Sequence, residues 1–318
     1  MRKPLRLLLA LLAASALLAA ACGDDDDSGD DNTNAASDDA GGTPEGPAIA
    51  IGAQDFGESA ILAEIYKQRL ETEGYDVRIQ SLGGFRDIEI ASFDSNDINF
   101  APEYAASMLE FLNENKGEAT SDVDETVRLL QTYLDDKGLT ALGPSEAVDT
   151  NSFVVTDETA DQVGLETLSD LAEKGADLKL GGPADCETNP FCIPGLRDTY
   201  GLDLSANFTA LDADAVADTL AADQIDVGIL FSTSGRIADE GWVLLEDDKH
   251  MLAADNVVPV VKDEVVDAYG DDFQSTVDEV SDALTTEELT DLNKRYDVDK
   301  EDAKDVASAW LEENDLAG

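Results

Sequence analysis

Residues 48–104 read AIAIGAQDFGESAILAEIYKQRLETEGYDVRIQSLGGFRDIEIASFDSNDINFAPEY, and their patterning decides the fold. The opening AIAIGA is a run of small and β-branched residues ending in the loop Gln54-Asp55-Phe56, the pattern of a short buried strand. ESAILAEIYKQRLETEG then places Ile61, Leu62, Ile65, Tyr66 and Leu70 at helical spacing, and Gly74 stops the helix. YDVRIQSL alternates as a strand, GGFRDIEIASFDS is a loop entering a helix, and DINFAPEYAASMLEFL is strand, turn and helix. Strand and helix in alternation imply an α/β chain with a mostly parallel sheet. In such sheets ligands bind beyond the carboxyl ends of the strands, where loops enter the following helices.

Working outward, VDETVRLLQTYLDDKG is helical, and TALGPSEAVDTNSFVVT is strand, loop and strand. A second strand-and-helix series follows, from TLSDLAEKG through LKLGGP, IPGLRDTYG and FTAL to DAVADTLAADQ and IDVGILF. In STSGRIADEG, Ser232 to Ser234 can cap a helix start. WVLLEDDK and NVVPVVK are strand-like, and the chain from DEVVDAYG to SAWLEENDL is helical. The second series is inserted into the first: the chain leaves the first lobe near Ala147 and returns near Phe231. The expected lobe I is 48–149 with 235–318, and lobe II is 150–234. Two lobes joined by two crossings make a hinged clamp.

Upstream of the folded part, MRKPLRLLLALLAASALLAAAC has a basic start, a short apolar stretch and small residues before Cys22. This is the order of a secretory signal that is processed rather than folded, and a cysteine at the junction is the pattern of a bacterial lipoprotein. Residues 1–22 are therefore expected to be a signal ending in a lipidated Cys22. That places the chain outside the cytoplasm, anchored to the outer face of the cell membrane. Residues 23–47 carry nine acidic residues and no basic ones, and read as a disordered spacer. No later segment is apolar enough to span a bilayer.

The net charge of −51 disfavours a nucleic-acid partner, because phosphate binding needs a basic surface. An acidic surface suits a saline habitat, or reflects the composition of the lineage. Cys186 and Cys192, six apart in CETNPFC, suggest a small disulfide-closed loop in an exported chain. The chain has one histidine, His250, in DDKHML without a nucleophile signature. No metal cluster or phosphate-loop glycine pattern is present, so the expectation is a protein that is not an enzyme and needs no cofactor.

The series GAQDF, ESAILAEIY, SLGGFRDIE, SNDINFAPEY, IPGLRDTYGL, ALDAD, FSTSGRI, WVLLEDDKHM, NVVPVV and LTTEELTDLN covers nearly all of residues 48–318. In that order it resembles the substrate-binding lipoproteins of osmoprotectant ABC importers, the binders of glycine betaine, choline and carnitine. The resemblance implies a two-lobed type II periplasmic-binding-protein fold. It implies a monomeric receptor that closes on a small quaternary ammonium or zwitterion and delivers it to a membrane permease driven by an ATPase. Such cations have no N–H to donate, so aromatic faces recognise them; a ligand carboxylate wants helix N-termini, hydroxyls or an arginine.

Carried over position by position, the resemblance makes Tyr104 of APEY a cage wall. Phe231 falls at a position often tyrosine, Ser107 where a threonine often lies, and Gln54 and Arg86 on the first two ligand loops. Ser232 and Thr233 are expected to donate from a helix start, or simply to cap it. Phe85 and Phe56 are further sources of aromatic faces. Two positions depart from the pattern: Asn151 falls where a tyrosine is frequent, and Asn189 where some members carry an arginine. These departures keep an amino acid or another zwitterion open as ligand, and a sensory surface receptor remains an alternative to a transport role.

Overall fold

A computed structural model describes residues 44–318 with the exception of Asp212; the expected signal, Cys22 and nearly all of the acidic spacer lie outside the described residues. The first lobe contains β1 (Ile49–Ala53), α1 (Gly57–Thr72), β2 (Val77–Ser81), α2 (Arg86–Ser95), β3 (Phe100–Tyr104), α3 (Ala105–Leu112), α4 (Val123–Leu134) and β4 (Leu139–Ala141). The second contains β5 (Asn151–Val155), α5 (Asp157–Val163), α6 (Leu168–Lys174), β6 (Leu180–Gly182), α7 (Ile193–Gly195), β7 (Phe208–Ala210), α8 (Ala213–Ala221), β8 (Val227–Phe231), α9 (Gly235–Glu240) and β9 (Val243–Leu244). The chain then returns to the first lobe with β10 (Val257–Lys262), α10 (Asp263–Ala283), α11 (Thr286–Asn293) and α12 (Ala303–Glu313). Among the described residues no helix is long and apolar enough to cross a membrane.

The sheets run in the orders β2-β1-β3-β10-β4 and β7-β6-β8-β5-β9. Each is mixed rather than nearly all parallel. β10 is antiparallel to both β3 and β4, and β5 is antiparallel to both β8 and β9. The reason is the route of the chain. β5 and β10 are the first strands laid down after a crossing, so they enter their sheets from the cleft side. The other strands of the first sheet end there.

β1 and β3 are buried along their whole length, as strands covered by helices on both faces must be. The stripe Ile61, Leu62, Ile65, Tyr66 and Leu70 is almost wholly buried beneath the sheet, and Gly74 terminates the helix region with φ 88°. Around it Phe273 of α10 packs with Tyr75, Phe100 and Tyr269.

The return crossing comes later than the sequence suggests. β9 pairs with β5, so the chain stays with the second sheet until after Leu244 and re-enters the first between Leu245 and Val257, not near Phe231. Between Phe231 and Leu245, α9 follows β8 but lies against α11 and residues 294–298 of the first lobe. Gly235 makes that approach possible, because a Cβ there would fall 2.5 Å from the Lys294 amide nitrogen. Gly235→Ala is therefore expected to destabilise the protein by about 1–3 kcal/mol through overpacking against backbone. Urea denaturation checks this; an unchanged midpoint would mean that α9 shifts freely away from α11.

The two crossings are hydrogen-bonded to each other. Ser145 N–H donates to Val257 O (2.8 Å), Val257 N–H to Ala147 O (2.9 Å) and Asp149 N–H to Asp255 O (3.1 Å). Val148 and Asn256 pair between them as an antiparallel bridge. The hinge is thus a two-stranded ribbon, with Asp149 and Asp255 adjacent on it.

Candidate functional site

The loops after β1, β2, β3 and β8 and the hinge ribbon surround a cleft between the lobes. One half encloses about 710 Å³ and the other about 640 Å³; both are lined by Arg86, Ser107, Asp149, Asn151, Phe231 and Asp255. The site lies at the carboxyl ends of β1, β3 and β8, where strand-to-helix loops are free to carry ligand groups.

Aromatic faces come from both sides. Phe85, just before α2, and Phe231, at the end of β8, are 61% and 57% exposed, an unusual state for phenylalanine and one that leaves their faces open to the cleft. Tyr104 and Phe56 line the same cavity with ring centroids 6.3 Å apart. Asn151 stands opposite Phe231 in the β5–β8 register, so a polar side chain borders the phenyl face.

The polar residues expected to meet ligand are mostly turned inward. Arg86 grips the buried carboxylate of Glu103 through Nε (2.7 Å) and Nη2 (2.6 Å), a bidentate pair. Gln54 Nε2 donates to Glu89 (3.0 Å) and Glu103 (2.9 Å), so both of its hydrogens are engaged. Both side chains line the cavity while tied to the buried carboxylates behind it. Ser107 donates through its amide and its hydroxyl to the two oxygens of Asp255 (2.8 and 2.5 Å). Thr233 Oγ1 donates to Asp149 (2.8 Å).

Ser232 does not line the cleft; its hydroxyl donates to Val148 O (2.7 Å) and accepts from Thr150 N–H (3.0 Å), clipping β8 to the hinge. The expected cap is absent too, because Ser234 is the N-cap of α9 and makes no side-chain bond to it. Asn189 borders the second half of the cleft and accepts from Phe191 N–H (2.9 Å). Cys186 and Cys192 are joined as a disulfide, Cα atoms 5.2 Å apart, closing the loop that carries Asn189.

The residues that sequence reading missed are acids. Glu58, Asp149, Asp255 and Asp297 line the cavity, with Glu89 and Glu103 beneath them. Among 71 acidic residues, nothing in spacing marks these six. Burial raises the Glu58 carboxyl above its usual range, opposed by hydrogen bonds from Tyr104 and Asn293. Burial, then the Glu58 charge, pushes Asp149 well up. Burial pushes Asp255 up to about 6 against its two bonds from Ser107. Glu89 is raised by burial and by the charge of Glu103. Burial would raise Glu103 as well, but the Arg86 guanidinium outweighs it and holds that carboxyl below its usual range. Among the described residues no group of three or more His, Cys, Asp or Glu could hold a metal ion.

The arrangement is a cleft of phenyl faces and carboxylates, the latter bonded to hydroxyls of the same wall. Comparison with known proteins agrees. Residues 47–313 match the family described as the substrate binding domain of ABC-type glycine betaine transport systems. A glycine-betaine-binding protein of Pseudomonas aeruginosa is 26% identical over 287 residues, covering 87% of this chain and 91% of its own. The carnitine transport binding protein OpuCC of Listeria monocytogenes is 24% identical, covering 84% and 86%. A crystal structure of a glycine betaine/carnitine/choline ABC transporter protein superposes with a TM-score of 0.77 at 24% identity, covering 85% of this chain and 100% of that one. Apo YehZ of Escherichia coli superposes at 0.74 with 22% identity, covering 85% and 99%. With its two α/β lobes, its hinge and a family match running through nearly the whole folded part, this chain belongs to the substrate-binding domains of ABC-type glycine betaine transport systems.

Proposed function

We propose that this chain is the extracytoplasmic receptor of an ABC importer and captures a small quaternary ammonium solute between its lobes. The observation that carries this is the pair of exposed phenyl faces, Phe85 from lobe I and Phe231 from lobe II, on a cleft lined by carboxylates. A tetra-alkylated nitrogen spreads its charge over methyl groups. It is held by ring faces and by unbonded negative charge rather than by directed hydrogen bonds. Tyr104 and Phe56 supply further ring surface, and Ser107, Thr233, Gln54 and Arg86 act as positioning groups behind the carboxylates. Closure about the hinge brings the two lobes onto the solute. A permease with its ATPase receives it, and lipidated Cys22 holds the receptor at the outer face of the membrane while the acidic spacer gives it reach.

Calorimetric titration against choline, glycine betaine, carnitine, proline betaine and common amino acids tests this reading. Saturable binding of a quaternary ammonium is expected. Phe231→Ala is expected to weaken it roughly fivefold, the loss of about 1 kcal/mol of cation–π attraction at a partly exposed ring. Unchanged affinity in that variant would remove Phe231 from the site, and binding confined to an amino acid would overturn the solute class.

A further inference from the structure

We propose that the cleft selects a carboxylate-free organic cation bearing an O–H or N–H donor, and rejects donor-free zwitterions such as glycine betaine. This rests on the cleft being the solute site and narrows the class of solute.

The charges on the cleft wall set the preference. Four carboxyl side chains face the cavity, Glu58, Asp149, Asp255 and Asp297, with two guanidinium groups, Arg86 and Arg236. Both guanidinium groups have carboxylates of their own. Arg86 holds Glu103, which lies behind the wall, through two bonds. Arg236 pairs with Asp218 (3.1 Å) and Glu240 (2.8 Å) and lies over the Trp242 ring. A ligand carboxylate entering the cleft therefore meets acids and finds no unpaired cation. A positive ligand meets Glu58, Asp149 and Asp255, whose partners are hydroxyls and amides that leave their charge uncompensated.

Donors show the same bias. The hydroxyls of Tyr104, Ser107 and Thr233 donate to Glu58, Asp255 and Asp149, and the amides of Gln54 and Asn293 donate to carboxylates and to Thr233 O. Among the described residues, two side chains that line the cleft hold a buried atom without a partner, Arg236 Nε and Asn293 Oδ1, and Glu89 Oε1 beneath the wall is another such atom. The guanidinium bearing the first is already bound at its other nitrogens. The second belongs to a side chain that is 96% buried and lines the cavity beside Glu58, and it adds an acceptor rather than a donor to that wall. Buried acceptors of this kind discriminate strongly against a ligand that cannot fill them.

Position on the hinge concentrates the charge. Asp149 and Asp255 are backbone-bonded neighbours on the ribbon, and both border both halves of the cleft. Asp255 is faced by Ser107 of α3 and feels Arg86 and Glu103; Asp149 is faced by Thr233 and feels Glu58 and Asp255. Burial, with nearby acids adding to it, raises the protonation range of both, and an entering cation favours their ionised forms.

The test is titration of the purified full chain with choline, which has an O–H, with 1,4-diaminobutane, which has N–H groups, and with glycine betaine. Choline or the diamine is expected to bind at least tenfold tighter than glycine betaine at pH 7.5. Asp255→Asn is expected to weaken the cation at least tenfold and to shrink that preference; its melting curve shows whether it folds. Equal or tighter binding of glycine betaine overturns the selectivity while leaving a quaternary ammonium receptor intact. The diamine alone binding supports the charge argument and overturns the quaternary class. Silence from all three, with carnitine and proline betaine also silent, overturns both.

Discussion

Glu103→Ala is expected to lower the free energy of unfolding by about 3–5 kcal/mol, because it strands a guanidinium that is largely out of water. Glu103 is fully buried and accepts two bonds from Arg86, one from Gln54 and one from the Tyr104 amide. Removing the carboxylate leaves four donor groups without their acceptor at once. A loss under about 1 kcal/mol would mean that solvent or Glu89 replaces it freely. The effect depends on pH. The carboxyl of Glu103 is held below its usual range in the folded protein. Its contribution is therefore complete above the pKa of the unfolded chain and fades as pH falls through the folded value. The gap between wild type and variant should narrow in acid, which urea melts at neutral and acidic pH would show.

Phe273→Ala is expected to cost about 3–5 kcal/mol by a different route, the cavity left in a core that cannot collapse around it. The ring has no exposed surface and contacts Tyr75, Phe100 and Tyr269 with centroids 5.7, 6.5 and 5.9 Å away. Tyr75 and Phe100 meet the ring edge to face and Tyr269 stacks on it, which leaves little freedom to slide into the gap. Phe273 does not line the cleft, so ligand affinity of the folded variant should be unchanged. A loss below about 1.5 kcal/mol in chemical denaturation would mean that Tyr75 and Tyr269 repack.

The contrast between these two sites shows what a sequence discloses. The helical stripe from Ile61 to Leu70 and the buried strands β1 and β3 were legible, because periodic apolar residues report burial directly. Phe85, Tyr104 and Phe231 were singled out through the resemblance and the scarcity of aromatics, and the structure sets all three on the cavity wall. The roles of Arg86, Gln54 and Ser232 were not legible. Each is polar and near a strand end, and only coordinates separate a side chain facing solute from one facing a buried glutamate or a backbone carbonyl. Asp149 and Asp255 were hidden for the opposite reason: in a chain this acidic, two more aspartates carry no information until pairing across the hinge brings them together. The late return crossing escaped because WVLLEDDK reads as a strand without disclosing which sheet it joins, and β9 pairs with β5 of the second.

The ribbon that joins the lobes has a mechanical consequence for recognition. In any rotation of one lobe against the other, an atom travels in proportion to its distance from the axis. Asp149 and Asp255 sit on the ribbon itself, whereas Phe85 and Phe231 stand out on the two walls. The carboxylates are thus a nearly stationary electrostatic well, and the phenyl rings are the long lever arms. In the proposed capture, a cation attracted to the hinge is held near the point that moves least while the rings swing in to cover it.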